Sequence, residues 1–187
     1  MKYPTGLPDD ALTREVLALV SKAHAGQVRA DGVTPYLEHP VETAHLALGF
    51  WPQGLHPDSG GMAPEGLVRI ALAHDVLEDC GPEWADLLAD VLPREEFLCV
   101  DYLTKRGPDY FGLLMRSPIP AAAVKLCDRL SNIRDMTGWG PGRRARYLVR
   151  TAMDVLPLSM RSPLLYGAGD AMRDELRRLS NRLARDF

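Results

Sequence analysis

Residues 70–80 read IALAHDVLEDC. The run is apolar enough to be buried, yet it carries one imidazole and three carboxylates, in His74, Asp75, Glu78 and Asp79. Read as a helix, it places residues three and four apart on one face. Asp75 then lies beside Glu78 and Asp79, and His74 beside Glu78. Burying that much charge is costly unless something compensates it, and a divalent cation is the simplest compensator. A satisfied core histidine followed by a solvated acidic helix end explains such a pair in isolation, so the rest of the chain decides.

Outward from this stretch the pattern is helical almost throughout. Asp9 or Asp10 can cap a helix whose Leu12, Val16, Leu19, Val20 and Ala23 share a face, ending near Gly26. The turn-rich ADGVTPY leads to His39-Pro40, where proline suits a first helical position. That helix continues through Val41, Ala44, Ala47 and Leu48. A Gly- and Pro-dense connector over about 50–64 separates it from the His74 helix. Short helices are expected over 83–91 and 94–103, then a loop around Lys105-Arg106-Gly107-Pro108. AAAVKLCDRLSNIRDM (121–136) forms a helix that sets Asp128 and Asn132 four apart on one face. Further helices are expected over 142–156 and 169–185, the last with a stripe of Met172, Leu176, Leu179 and Leu183. No alternating run is long enough for a sheet, and no repeat is visible. The expectation is an all-α single domain, with a motif-bearing core over about 10–150 and C-terminal helices over 151–187.

Composition narrows the function. The chain has 187 residues, 46% hydrophobic and 25% charged, which suits one globular domain with a real core. No apolar run approaches the ~20 residues of a membrane helix, and the start MKYPTGLPDD has no signal-peptide h-region. Cys80, Cys99 and Cys127 lack any C-x-x-C spacing and read as packing residues in a reducing compartment, with the cytoplasm as default. Net charge is −3, with ten Arg against five acidic residues from Gly142 onward. An acidic chain with a few concentrated arginines fits a small anionic ligand better than a nucleic acid or a membrane. The Arg-rich last helix reads as a solvated face or a subunit contact, which leaves a homo-oligomer open.

His39, His74, Asp75 and Asp128, from three helices or their starts, are candidate metal ligands. Imidazole and carboxylate without thiolate suit Mn²⁺, Fe²⁺ or Zn²⁺ in a catalytic rather than a structural site. His24 reads as a helix-end structural residue, His45 and His56 as surface residues, and Trp51, Trp84 and Trp139 as packing.

The order His, His-Asp, Asp on an all-α chain resembles the HD-domain metal-dependent phosphohydrolases. The finer resemblance is to their alarmone-hydrolase branch, the Rel/Spo-type hydrolase domains and the small stand-alone alarmone hydrolases. It is carried by AHAGQVRADGVTPYLEHP (23–40), ALAHDVLED (71–79), LTKRG (103–107) and VKLCDRLSNIRDM (124–136). This resemblance implies His39, His74, Asp75 and Asp128 as ligands of Mn²⁺, and Glu78 and Asp79 as the pair that positions or deprotonates the attacking water. It implies Asn132 as a substrate contact and Arg29 as packing against a guanine base. Lys105, Arg106, Arg143 and Tyr147 fall where that family gathers basic and hydroxyl groups around phosphates. One departure is Ala30, where the family usually has a second basic residue after Arg29; Cys127 stands for a usual alanine.

The implied activity is removal of the 3′-pyrophosphate from ppGpp or pppGpp, giving GDP or GTP. With no synthetase region in sight, a dedicated hydrolase is expected. Another nucleotide substrate, such as the 2′-phosphate of NADPH or a nucleoside polyphosphate, and a non-catalytic nucleotide-sensing module are the alternatives.

Overall fold

The computed structural model describes residues 3–52, 56–136 and 138–183, with the backbone alone for Leu183. Among the described residues there is no strand, only an isolated bridge between Val28 and Pro35. The all-α expectation holds. The α-helices are α1 (Ala11–Ala23), α2 (Glu38–Phe50), α3 (Pro64–Ala73), α4 (Val76–Asp79), α5 (Trp84–Val91), α6 (Arg94–Leu103), α7 (Tyr110–Leu114), α8 (Ile119–Arg134), α9 (Pro141–Arg150) and α10 (Tyr166–Leu183). No helix among the described residues is long and apolar enough to cross a membrane.

The centre of the fold is α8, on which every residue from Pro120 to Ser131 is buried. Helices α2, α3, α6 and α10 pack around it. Helix α3 lies inside as well, its Leu67, Val68 and Ile70 to Ala73 fully covered. Gly66 permits this close packing, because a Cβ there would stand 2.5 Å from Met62 Sδ and 2.8 Å from Glu96 Oε1. Arg69, the polar interruption of α3, is matched by Glu96 of α6 through two hydrogen bonds of 2.8 and 2.6 Å. Of the two acids offered as the α1 cap, Asp10 does the capping, its Oδ1 accepting from Thr13 N at 2.9 Å, while Asp9 pairs with Arg14.

The structure corrects several local expectations. The His74 helix is not continuous: His74 ends α3, Asp75 has φ −100° and ψ −7°, and α4 begins at Val76. Asp75 thus occupies the sparsely populated bridge region, common at turns and active sites. Its carbonyl accepts from both Glu78 and Asp79, at 3.2 and 2.9 Å, and this restarts the helix. The helix expected over 142–156 stops at Arg150 and passes into a π turn (Thr151–Val155) and a 3₁₀ segment (Leu156–Arg161). Pro157 and Pro163, which lack a donor, suit the tighter 3₁₀ turns that follow. Helix α7 was not foreseen; it follows the loop expected around Lys105-Arg106-Gly107-Pro108, in a stretch to which no element was assigned. Residues 53–55 of the 50–64 connector, residues 184 and 185 at the end of the last expected helix, and the Leu183 side chain of its stripe lie outside the described residues.

Candidate metal centre and active site

His39 lies in the first turn of α2, His74 at the end of α3 and Asp128 in the middle of α8, so packing of the three central helices brings them together. Each offers a ligand atom within 4.8 Å of the others. His39 Nε2 stands 3.2 Å from Asp128 Oδ1 and 3.5 Å from Asp75 Oδ2. His74 Nε2 stands 3.1 Å from Asp75 Oδ2 and 3.7 Å from Asp128 Oδ1.

The opposite ring nitrogens fix how these imidazoles present themselves. His74 Nδ1 faces the Ala71 carbonyl at 2.7 Å, and a carbonyl only accepts, so Nδ1 carries the proton. Ser131 Oγ donates to Glu42 Oε2 at 2.9 Å and therefore accepts from His39 Nδ1 at 3.1 Å. In the neutral rings both Nε2 lone pairs face carboxylate oxygens. Both Nε2 atoms are buried without a hydrogen-bond partner. Burial disfavours charged imidazoles, but Asp128 and Asp75 outweigh it and raise both histidine pKa values, that of His74 to about 10. Burial likewise opposes ionisation of Asp75 and Asp128, yet the surrounding cations hold both well below the usual carboxylate range. The two buried Nε2 atoms and the carboxylates that face them could hold a metal ion, and mixed nitrogen and oxygen donors of this kind fit a divalent one.

Above these residues opens a cavity of about 620 Å³. Asp75 and Asp128 form part of its floor, and Glu78, Asp79, Arg29, Asn132, Lys105, Arg143 and Tyr147 also line it. Burial raises the Glu78 pKa above the ordinary glutamate value, and its Oε2 accepts from the Lys105 backbone N–H at 3.0 Å. Asn132 Nδ2 donates to Asp128 Oδ1 at 2.6 Å, one turn back on α8. Arg29 Nη2 lies 3.3 Å from both Asn132 Oδ1 and Asp135 Oδ2.

The site residues expected from the sequence converge, with one exception. Arg106 is absent from the cavity lining; it points outward and pairs with Asp101 of α6. The next turn of chain carries its long side chain away while Lys105 stays at the rim. Trp139 needs a further correction: it is buried, as a packing residue would be, but it also lines the cavity, with Arg143 Cζ 3.8 Å from its ring centroid. Trp51 is buried and Trp84 half-buried, as read. His24 is structural, its Nδ1 2.8 Å from Gln27 Oε1 and its ring stacked on Tyr36.

Sequence reasoning missed several residues of the site. Tyr36 places its hydroxyl 2.7 Å from Asp75 Oδ2 and 2.8 Å from Asp79 Oδ2, joining the two kinds of carboxylate. Lys125 is buried with Nζ 2.8 Å from Asp128 Oδ2. Arg129 and Arg150 also line the cavity. Helical spacing from named residues would have found Lys125, three before Asp128, and Arg150, three after Tyr147.

A solved structure of a metazoan ortholog of SpoT, described as hydrolyzing ppGpp and playing a role in starvation responses, superimposes with a TM-score of 0.67. The match covers 97% of this chain and 98% of that one, at 23% identity. The fold is that of this SpoT ortholog. The resemblance drawn from the four sequence strings is borne out by relatives as well. A probable guanosine-3′,5′-bis(diphosphate) 3′-pyrophosphohydrolase of Synechocystis is 30% identical over 74% of this chain and 18% of its own length. The bifunctional (p)ppGpp synthase/hydrolase SpoT of Escherichia coli is 27% identical over 84% of this chain and 23% of its own. GTP pyrophosphokinase rsh of Brucella ovis is 28% identical over 93% and 23%. The chain thus spans about a fifth of the length of these Rel/SpoT relatives. No family model matches it.

Proposed function

We propose that the chain is a metal-dependent hydrolase that removes the 3′-pyrophosphate of ppGpp or pppGpp, giving GDP or GTP and pyrophosphate. One observation carries this reading: two buried Nε2 lone pairs and the Asp75 and Asp128 carboxylates converge under a cavity that also holds Glu78 and Asp79. The relatives include proteins named for synthesis and for hydrolysis of this nucleotide, and a water-activating carboxylate pair beside a cation site favours hydrolysis. The metazoan SpoT ortholog that shares the fold is described as a ppGpp hydrolase.

In this reading His39, His74, Asp75 and Asp128 hold Mn²⁺, with Fe²⁺ and Zn²⁺ chemically compatible. Such an ion supplies Lewis acidity, lowering the pKa of water from about 15.7 toward about 7 and neutralising phosphate charge. Glu78, made more basic by burial and fixed by the Lys105 amide, takes the proton of the attacking water. Asp79, tied to Asp75 through the Tyr36 hydroxyl, orients that water. Attack by that water at the phosphorus on the ribose 3′ oxygen breaks the bond between this phosphorus and O3′, releasing pyrophosphate, while O3′ leaves as a hydroxyl by taking up the proton held by Glu78. Arg29 packs on the guanine, Asn132 contacts the nucleotide, and Lys105, Arg143 and Tyr147 bind phosphate oxygens.

Ala30 lines the same cavity and leaves one wall with less positive charge, which keeps another nucleotide in view. An assay of ppGpp, pppGpp, NADPH and GTP that measures phosphate and pyrophosphate separately distinguishes the readings. Pyrophosphate from ppGpp supports the proposal; phosphate from NADPH alone overturns it.

A further inference from the structure

Two surface helices carry unmatched charge of opposite sign. The arginines that follow Gly142 fall mostly on α9 and α10. On α10, Arg173, Arg177 and Arg178 each pair with the acid three residues earlier, Asp170, Asp174 and Glu175. Helix α9, PGRRARYLVR, has no acidic residue, and none of its four arginines forms an ion pair among the described residues. Arg146, Val149 and Arg150 stand at i, i+3 and i+4 and share one exposed side, which Met153 continues into the π turn. Val149 is 56% exposed and Met153 70%, so apolar surface lies between the charges. Arg146 and Arg150, one turn apart with like charge, repel each other.

Helix α5, WADLLADV, is the counterpart, without a basic residue. Glu83, Asp86, Leu87 and Asp90 stand at i, i+3, i+4 and i+7, and all four are exposed. None of these three carboxylates pairs with a cation among the described residues. Asp86 and Asp90 are four residues apart, as are Arg146 and Arg150, so each pair spans about 6 Å along its helix. Two arginines can therefore meet two carboxylates, with Val149, Met153 and Leu87 adding apolar contact. Within the chain, α5 packs against α1 and α6, whereas α9 runs into the π turn that packs on α8. Among the described residues no ion pair joins the two faces, so the match is open to a second molecule.

We propose that the exposed face of α9 binds the α5 face of a second copy of this chain. The two faces differ, so the contact is head-to-tail and builds rings or open chains rather than one symmetric pair. Because Arg150 also lines the cavity, the docked α5 of the partner lies at the cavity mouth. The contact stands whatever nucleotide the chain turns over.

Analytical ultracentrifugation of the full chain tests it. At about 0.01 M salt, where charges act over about 30 Å, the mean mass is expected to exceed the monomer's and to rise with protein concentration. At about 1 M, where that range is about 3 Å, it should fall toward the monomer. Arg146→Glu and Asp90→Arg are each expected to weaken association roughly tenfold or more. Mixed one to one, the two variants should associate again, because opposite charges then face each other. Arg177→Glu on α10, where the arginines are already paired, should behave as wild type. If either reversal fails to fold, Arg146→Gln and Asp90→Asn carry the same test with smaller losses. A wild type that stays monomeric at low salt, or association that neither face's variant weakens, would overturn the contact. So would a mixture no more associated than its parts, or a loss in Arg177→Glu equal to that in Arg146→Glu.

Discussion

Lys125 Nζ lies 2.8 Å from Asp128 Oδ2, and both side chains are buried on one face of α8. Burial opposes the charge on Lys125, but Asp128 outweighs it and pushes the lysine pKa up. The pair leaves Asp128 Oδ1 to face the two Nε2 atoms. Removing one partner of a buried pair costs on the order of 3 kcal/mol because the other charge is left uncompensated. Lys125→Met is expected to lower the thermal midpoint in EDTA. Added Mn²⁺ should then raise the midpoint by more than in wild type, since the ion takes over compensation of Asp128. Equal midpoints in EDTA would contradict this account of the pair.

Ser131 bears on a different one of the proposed ligands, His39. Its Oγ donates to Glu42 and so accepts from His39 Nδ1, which keeps the His39 lone pair on Nε2. Outer partners of this kind are worth about 10- to 100-fold in metal affinity. Ser131→Ala is expected to weaken Mn²⁺ binding by that order, measured by competition with a chelating dye, with helix content unchanged in circular dichroism. Wild-type affinity in the variant would show that the hydrogen bond does not set the tautomer.

Arg106 and Lys105 are neighbours in sequence but not in environment. Arg106 pairs with Asp101 at the surface, and exposed pairs contribute about 0–1 kcal/mol. Arg106→Ala should leave nucleotide turnover within about twofold of wild type, whereas Lys105→Ala, at the cavity rim, should raise KM. A large KM increase in the Arg106 variant would return that residue to the site.

Much of this arrangement was legible in the residues, and the reasons for the gaps are physical. Helix α6 runs over 94–103 as read, because its apolar spacing is bounded by Pro93 and the Thr104 cap. The break at His74-Asp75 left no mark, since the apolar pattern continues unbroken to Val76 and no glycine or proline interrupts it. The four proposed ligands were legible as residue types that apolar helices do not normally bury. Lys125 and Arg129 were hidden by the same logic in reverse: a lysine and an arginine on a helix read as solvent-facing until α8 is seen to be the centre of the fold. Tyr36 sits in an irregular turn, for which no periodicity predicts a partner thirty-nine residues away. Arg106 was misplaced because sequence adjacency to Lys105 says nothing about direction in a loop.

The turn that carries Arg29 and Ala30 is held by Asp31. The Thr34 hydroxyl, with the Val33 and Thr34 amides, lowers the Asp31 pKa from 3.8 to about 2. A depressed folded-state value means that the contribution is complete above about pH 4 and lost as pH falls toward 2. Hydrogen exchange of the Val33 and Thr34 amides should therefore be faster in Asp31→Asn than in wild type at pH 5, with the difference disappearing near pH 2. A difference that persists unchanged at pH 2 would contradict the assignment.

The central claim is a division of labour, with His39, His74, Asp75 and Asp128 for the ion and Glu78 with Asp79 for the water. The most direct measurement is chromatographic product analysis of ppGpp incubated with Mn²⁺ and either wild type or Glu78→Gln. The account predicts GDP and pyrophosphate from wild type, and a kcat lower by about 10²- to 10⁴-fold in the variant with Mn²⁺ affinity retained. Unchanged ppGpp in the presence of Mn²⁺-loaded wild type, or full activity in Glu78→Gln, would contradict it.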